Sequence, residues 1–168
     1  MNQHAPGTRD RLVSAARRLF ADHGFHRASV RAITTHAKAN LGAVTYHFGS
    51  KDRLRNAVLD QLFGSMADRL AAAAAGPGLA RQRLARIVHG IFEFFAANPD
   101  APRLLVHLLA AGPSFPAATV THQRRILQLI TGVVQEGAAA GELRAVEPLM
   151  AAVERHITEV ITRALAPA

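Results

Sequence analysis

The sequence predicts an all-α fold. Apolar residues recur every three or four positions through most of the 168 residues, which is the spacing of an amphipathic helix. No stretch alternates apolar and polar residues as a half-buried strand does. Glycine and proline interrupt the helical patterns at several points, so they divide the chain into separate helices. These three observations predict a protein of packed helices.

The first helix is expected to follow residues 1–7, which have no periodic pattern. Thr8 is a suitable N-cap, and Gly24 should end the helix. The buried stripe of this helix is predicted to consist of Leu12, Ala15, Ala16, Leu19 and Phe20. The side chain of Phe25 should then enter a small core, whose other members are Val30, Ile33, Val44 and Phe48.

Residues 29–53 predict two short helices joined by a tight turn. Ser29 is a suitable N-cap for the first, which should end near residues 36–37, and the second should run from about Asn40 to Phe48. Two short helices in this arrangement are typical of a helix-turn-helix DNA reader. The plainer alternative is a helical corner with an ordinary polar surface.

The outward side chains of the second short helix suit a DNA groove. Gly42 and Ala43 are small enough to let a helix approach base edges, with which Thr45 can form hydrogen bonds. Tyr46, the only tyrosine, and Lys51 can reach phosphates and fix the register without reading sequence. The pattern therefore predicts both base contacts and phosphate contacts.

Positive charge is concentrated near this motif. The formal net charge is +8: residues 1–60 hold ten Lys or Arg against four Asp or Glu, a balance of +6, and the other 108 residues hold ten against eight, a balance of +2. A basic segment favours a polyanion such as DNA. An arginine-rich genome bias also produces a high pI, but the uneven distribution argues for the first explanation.

Longer helices are predicted in the rest of the chain. Ser50 should cap a fourth helix over residues 51–75, which the Gly-Pro-Gly sequence at 76–78 terminates. Further helices are expected over residues 79–97, 102–111 and 117–140, and from residue 147 or 148 to 165.

Composition excludes several classes of protein. The chain has no cysteine, so disulfides and thiolate metal sites are excluded. Its longest apolar runs, at 70–75 and 104–109, are too short to span a bilayer, and the N-terminus lacks a signal-peptide core. We therefore expect a cytoplasmic protein without a membrane partner.

An enzyme and a plain helical interaction module are the competing hypotheses. His23 and His26 are spaced like metal ligands, but they flank a Gly-Phe turn with no acidic cluster beside them. The sequence has no Ser-His-Asp signature, P-loop or dinucleotide fingerprint. We therefore predict no catalytic residue, no metal and no cofactor. Failure to bind any duplex at low salt would favour the interaction module.

From Thr8 to Leu59 the sequence resembles the tetracycline-repressor (TetR) family of bacterial transcription regulators. The resemblance implies a three-helix helix-turn-helix domain over residues 1–50, linked by a long helix to a helical effector-binding and dimerisation body over 51–168. It also implies a sequence-specific regulator, a repressor that a small-molecule effector releases from a near-palindromic operator. The residues predicted to contact DNA are Ser29, Arg31, Lys38, Asn40, Leu41, Gly42, Ala43, Thr45, Tyr46, His47 and Lys51.

Lys38 stands in the turn where the family usually has glycine. A left-handed backbone at this position would cost a lysine about 1 kcal/mol relative to glycine. The lysine also adds a positive charge close to DNA. We therefore expect a basic turn, and the sequence leaves open whether its backbone keeps the left-handed geometry.

The body is implied to bind the effector and to form a homodimer. The candidate effector-binding residues are Phe63, Met66, Phe92, Phe95, Leu104, His107 and Leu108. They would suit an apolar or weakly polar molecule, although such residues are more often plain core.

The family pairs its last two helices across the dimer, and here their apolar positions lie within 126–134 and 149–165. Packing within one subunit is the alternative. The chain ends at Ala168, where longer members continue, so either the dimer face is built differently or a further helix is missing from this sequence.

Overall fold

The computed structural model describes residues 7–110 and 117–143. Within these residues the chain forms seven α-helices and no strand, which confirms the predicted all-α fold. The helices are α1 (Thr8–Arg27), α2 (Val30–His36), α3 (Ala43–Phe48), α4 (Lys51–Ala75), α5 (Ala80–Ala97), α6 (Ala101–Ala110) and α7 (Ala117–Ala139). The predicted last helix and most of the predicted N-terminal arm lie outside the described residues. In the described ranges no helix has the length and hydropathy needed to cross a membrane.

The described residues form two compact units. The first contains residues 7–62 and 99–110, and the second contains residues 63–98 and 117–143. α4 contributes residues to both units. The functional boundary expected between residues 50 and 51 stays a prediction.

α1 differs from the prediction at both ends. Gly7 is its N-cap, because the Gly7 backbone is extended at φ −60° and ψ 163° whereas Thr8 is already helical. The predicted cap residue, Thr8, instead accepts a hydrogen bond from Arg11 Nη2 at 3.0 Å. Gly24 leaves the helical region at φ 76° and ψ 164°, as its sequence position suggested, but the chain then resumes a helical course to Arg27.

The core of the first unit lies between α1, α2, α3 and the start of α4. The side chains at its centre are at most 1% exposed, and they include Leu12, Ile33, Val44 and Leu54. Phe25 and Val30 are half-buried and lie at the edge of this core. Phe25 contacts it through Phe20, with ring centroids 5.5 Å apart.

Two ion pairs join α1 to α6 and to Asp100, the residue directly before α6, in the first unit. Arg17 donates from Nε and Nη2 to the two carboxylate oxygens of Asp100, each at 2.6 Å. Arg103 donates from Nη1 to Asp22 Oδ1 at 2.9 Å. The first pair is bidentate and less than a third exposed, so it is the stronger connection.

α5 and α7 pack together in the second unit. Arg83 of α5 forms an ion pair with Glu136 of α7, and the Ala80 main-chain N–H donates to Glu142 Oε2. Because Gly137 lacks a side chain, α7 can approach Ala80 closely. These contacts fix the end of α7 beside the start of α5.

Candidate nucleic-acid interface

Ser29 begins α2 in the way the sequence predicted. Its backbone is extended at φ −80° and ψ 152°, and its hydroxyl accepts a hydrogen bond from Ala32 N at 3.1 Å. This contact satisfies one of the amide donors that have no partner at a helix start. Ile33, fully buried, holds α2 against the core. Ser29 and Arg31 remain exposed at the outer end of the helix.

The turn after α2 keeps the left-handed geometry despite its lysine. Lys38 has φ 49°, and among the described residues it alone combines a side chain with positive φ. Its N–H donates to Thr35 O at 3.1 Å, and the N–H of Ala39 donates to Thr34 O at 2.9 Å. These two bonds form a Schellman motif, which satisfies the last carbonyls of the helix. The Lys38 side chain is exposed, so its charge is available at the surface.

α3 is shorter than the sequence predicted. It begins at Ala43, and the residues 40–42 form a turn closed by a bond from Ala43 N to Asn40 O at 2.9 Å. Helical bonding starts with Tyr46 N donating to Gly42 O. The prediction that Asn40, Leu41 and Gly42 belong to this helix is therefore wrong, because Gly42 is the N-cap and the residues before it form a separate turn.

One face of α3 is buried and the other is open. Val44 and Phe48 are only 1% and 8% exposed and hold α3 on the core. Tyr46 is 86% exposed, and Thr45 beside it is exposed as well. Leu41, in the turn before the helix, is 59% exposed despite being apolar. An exposed face of this kind can enter a groove without any rearrangement of the core.

Lys51 is partly covered at the start of α4. Ser50 caps this helix as predicted, with its hydroxyl accepting from Arg53 N at 3.1 Å. Lys51 Nζ lies 3.5 Å from the His26 carbonyl oxygen and 4.4 Å from the centroid of the Phe25 ring. Burial lowers the pKa of Lys51 below its ordinary value. The ammonium therefore has a defined position instead of moving freely in solvent.

All eleven residues predicted to contact DNA lie in the first unit, and none is buried. Ala43, His47 and Lys51 are half-buried, and the other eight are exposed. Their individual contacts with DNA stay predictions. The sequence analysis missed two neighbours of this surface. It did not predict that Phe25 lies beside Lys51, and it did not single out Arg55. Lys51 and Arg55 are four residues apart, and this spacing is the signal that could have placed these two residues on one helix face.

The candidate effector-binding residues are divided between the two units. Phe63, Met66, Phe92 and Phe95 lie in the second unit, whereas Leu104, His107 and Leu108 lie on α6 in the first. Phe63, Met66 and Leu104 are buried, while Phe92 is 70% exposed. A cleft of about 350 Å³ in the first unit includes His107, and its other lining residues are Ala21, Asp22, Pro102, Arg103 and Val106. The effector assignment stays a prediction.

Comparison with known proteins supports the sequence resemblance. Residues 12–58 match the family described as bacterial regulatory proteins, tetR family. Over 103 residues the chain is 30% identical to the HTH-type transcriptional repressor NicS of Pseudomonas putida, a match that covers 61% of this chain and 49% of NicS. The chain therefore spans about half the length of this relative.

Solved structures of regulators have the same fold. The chain is similar to the fatty acid degradation regulator FadR from Bacillus halodurans, with a TM-score of 0.77 and 18% identity over 96% of this chain and 85% of that one. It is also similar to FadR from Bacillus subtilis in complex with stearoyl-CoA, with a TM-score of 0.72 and 18% identity over 92% and 84% of the two chains. At these identities the likeness establishes the fold.

Proposed function

Since the chain belongs to the tetR family of bacterial regulatory proteins, we propose that it is a sequence-specific DNA-binding transcriptional regulator. It acts in the cytoplasm as a repressor that a small-molecule effector releases from its operator. The observation that carries this proposal is the open face of α3, where Tyr46 is 86% exposed while Val44 is 1% exposed. That division leaves the polar side of the helix free for a DNA groove.

The active species in this proposal is a homodimer on a near-palindromic operator. α3 has six residues, which are too few to read a long site alone. Two copies related by a two-fold axis would place their α3 helices on half-sites separated by roughly 10 base pairs or a multiple of that spacing. The apolar residues within 126–134 of α7, together with the segment 149–165, supply the proposed dimer contacts.

The effector is proposed to be an apolar or weakly polar molecule. The candidate residues Phe63, Met66 and Phe95 are apolar, and charged side chains are absent from this group. The likeness to FadR in complex with stearoyl-CoA supports an effector with a substantial apolar part. Binding that favours one conformation of the body would lower the affinity for DNA through thermodynamic linkage.

Selection of bound duplexes from a random DNA pool by the purified chain tests this function. We expect enrichment of a sequence with two inverted half-sites, followed by binding that weakens as salt rises. The same selection with a Thr45→Val variant provides a comparison. Valine keeps the shape of the side chain but removes its hydroxyl, so this variant should select a different sequence. Recovery of no preferred sequence, with equal weak binding to every duplex, would contradict a sequence-specific regulator.

A further inference from the structure

Phe25 reaches α4 because the chain changes direction at Gly24. The Gly24 backbone, at φ 76° and ψ 164°, lies in a region that is essentially restricted to glycine. Phe25 directly follows this turn, and contact with the buried Phe20 ring, whose centroid is 5.5 Å away, keeps its ring attached to the core. One side of Phe25 is thus anchored, and the other is half-exposed.

Two cations of α4 lie over this single ring. Lys51 Nζ is 4.4 Å from the ring centroid, and the central carbon of the Arg55 guanidinium is 4.3 Å from it. The negative face of an aromatic ring attracts cations at this distance. The ring therefore stabilises both cations at this position. The His26 carbonyl oxygen, 3.5 Å from Lys51 Nζ, further stabilises the ammonium.

Arg55 has an unused hydrogen-bond donor. Its Nε is buried and has no hydrogen-bond partner within the described residues, whereas its Nη2 lies 3.4 Å from Asp52 Oδ1. Because Nε is buried, a phosphate oxygen would contact the guanidinium through its terminal nitrogens, and a guanidinium binds phosphate oxygens well. Its side chain, 29% exposed, retains access to solvent and hence to a ligand.

We propose that Phe25 is a positioning residue for DNA binding: its ring holds the cations of Lys51 and Arg55 in place so that both bind the phosphate backbone. The inference rests on the proposed function, and it adds Arg55 as a phosphate contact that the family resemblance did not assign. Phe25 itself does not touch DNA in this arrangement. It converts two flexible side chains into one preorganised pair, which reduces the entropy lost when they bind.

The first experiment measures affinity for the selected operator and for a scrambled duplex over a range of salt concentrations. Phe25→Leu keeps an apolar side chain but removes the ring. It should lower the affinity for both duplexes alike, by about threefold to tenfold. Phe25→Tyr keeps the ring and should restore wild-type affinity. A loss of affinity that Phe25→Tyr fails to restore would overturn the proposal.

Arg55→Ala provides a test that does not depend on changing Phe25. It should reduce the slope of log affinity against log salt by about one, as expected for the loss of one phosphate contact. The matched control is Arg18→Ala, which removes an exposed arginine of α1 and should leave the slope unchanged. An unchanged slope for Arg55→Ala would overturn the assignment of Arg55.

A double-mutant cycle separates positioning from simple packing. In a Lys51→Ala, Arg55→Ala background, Phe25→Leu should cause no further loss of DNA affinity, because there is no cation left to position. A loss equal to that seen in the wild-type background would show that Phe25 acts by packing alone. If the wild-type chain binds no duplex, the proposed function is refuted as well. If the wild-type chain binds DNA but the Phe25 variants do not behave as predicted, only the role of Phe25 is refuted.

Discussion

Arg11 Nε on α1 donates a hydrogen bond to the main-chain carbonyl oxygen of Ala37 at 3.1 Å. Ala37 is the C-cap of α2 and directly precedes the left-handed residue Lys38. The contact crosses 26 residues of sequence, so it ties the first helix to the turn of the helix-turn-helix. A charged donor on a helix-terminal carbonyl stabilises that terminus.

Arg11→Ala should destabilise the first unit. Loss of a charged donor from a partly buried carbonyl costs about 1–3 kcal/mol in the free energy of unfolding. Urea unfolding monitored by circular dichroism measures this loss. Arg18→Ala, on the exposed side of the same helix, should change stability by less than about 0.5 kcal/mol. Equal effects of the two substitutions would show that the Ala37 contact does not stabilise the fold.

Lys38→Gly and Lys38→Ala form a matched pair for the strain in the turn. Both remove the charge, but only glycine accepts φ 49° without steric cost. We expect the glycine variant to be more stable than the alanine variant by about 1 kcal/mol. Unfolding free energies measured in the same buffer decide the point. Greater stability of the alanine variant would mean that the turn is not left-handed in solution.

Local signals in the sequence predicted much of this fold correctly. Ser29 and Ser50 were identifiable as caps because a hydroxyl directly before a helix can accept a hydrogen bond from the main-chain N–H three residues later. Both serines accept such a bond. The start of α3 was missed because Gly42 has helix-like angles, φ −73° and ψ −9°, without any capping side chain. In a helix of six residues, the sequence carries little information about where the preceding loop ends and the first helical turn begins.

The role of Phe25 was not predictable from local pattern. An aromatic residue after a helix-ending glycine reads as a core residue, and Phe25 does touch Phe20. Its contacts with Lys51 and Arg55 depend on how α4 approaches the end of α1, which is a tertiary relationship. Periodicity shows which residues of one helix share a face, but it does not show which neighbour that face meets.

Gly24→Ala should be strongly destabilising. The added Cβ would lie 3.2 Å from His107 Nδ1, and the backbone angles at Gly24 disfavour any side chain. The expected cost is about 1–3 kcal/mol of unfolding free energy. Gly132→Ala is the control, because this α7 glycine has open space around it and alanine should stabilise a helix by about 0.5–1 kcal/mol. Thermal unfolding should therefore shift in opposite directions for the two variants.

The Arg17–Asp100 pair should make stability depend on acid pH. Burial raises the pKa of Asp100, but the hydrogen bonds and charge of Arg17 outweigh it, so the pKa is below its ordinary value. A lowered folded-state pKa contributes stability above the unfolded value of about 4, and this contribution is lost as pH falls through the folded value. Unfolding free energies measured from pH 7 down to pH 3 should show this loss.

Asp100→Asn should remove that part of the acid dependence. At pH 7 it should also cost about 1–2 kcal/mol, between the values typical of exposed and buried pairs. Asp22→Asn breaks the more exposed pair with Arg103 and should cost less than about 1 kcal/mol at pH 7. An acid dependence in Asp100→Asn as steep as that of the wild-type chain would exclude this pair as its source.

Tyr46→Phe should separate DNA binding from stability most cleanly. Tyr46 is 86% exposed, so loss of its hydroxyl should change the unfolding free energy by less than about 0.5 kcal/mol. If the hydroxyl donates to a phosphate, affinity should fall by about 1 kcal/mol, or roughly fivefold, on operator and scrambled duplexes alike.

Fluorescence anisotropy with both duplexes measures the affinity of Tyr46→Phe. Thr45→Val provides the contrast, because loss of a base contact should lower the affinity for the operator selectively. Unchanged affinity in Tyr46→Phe would show that the hydroxyl makes no phosphate contact, and a loss confined to the operator would reassign Tyr46 to base reading.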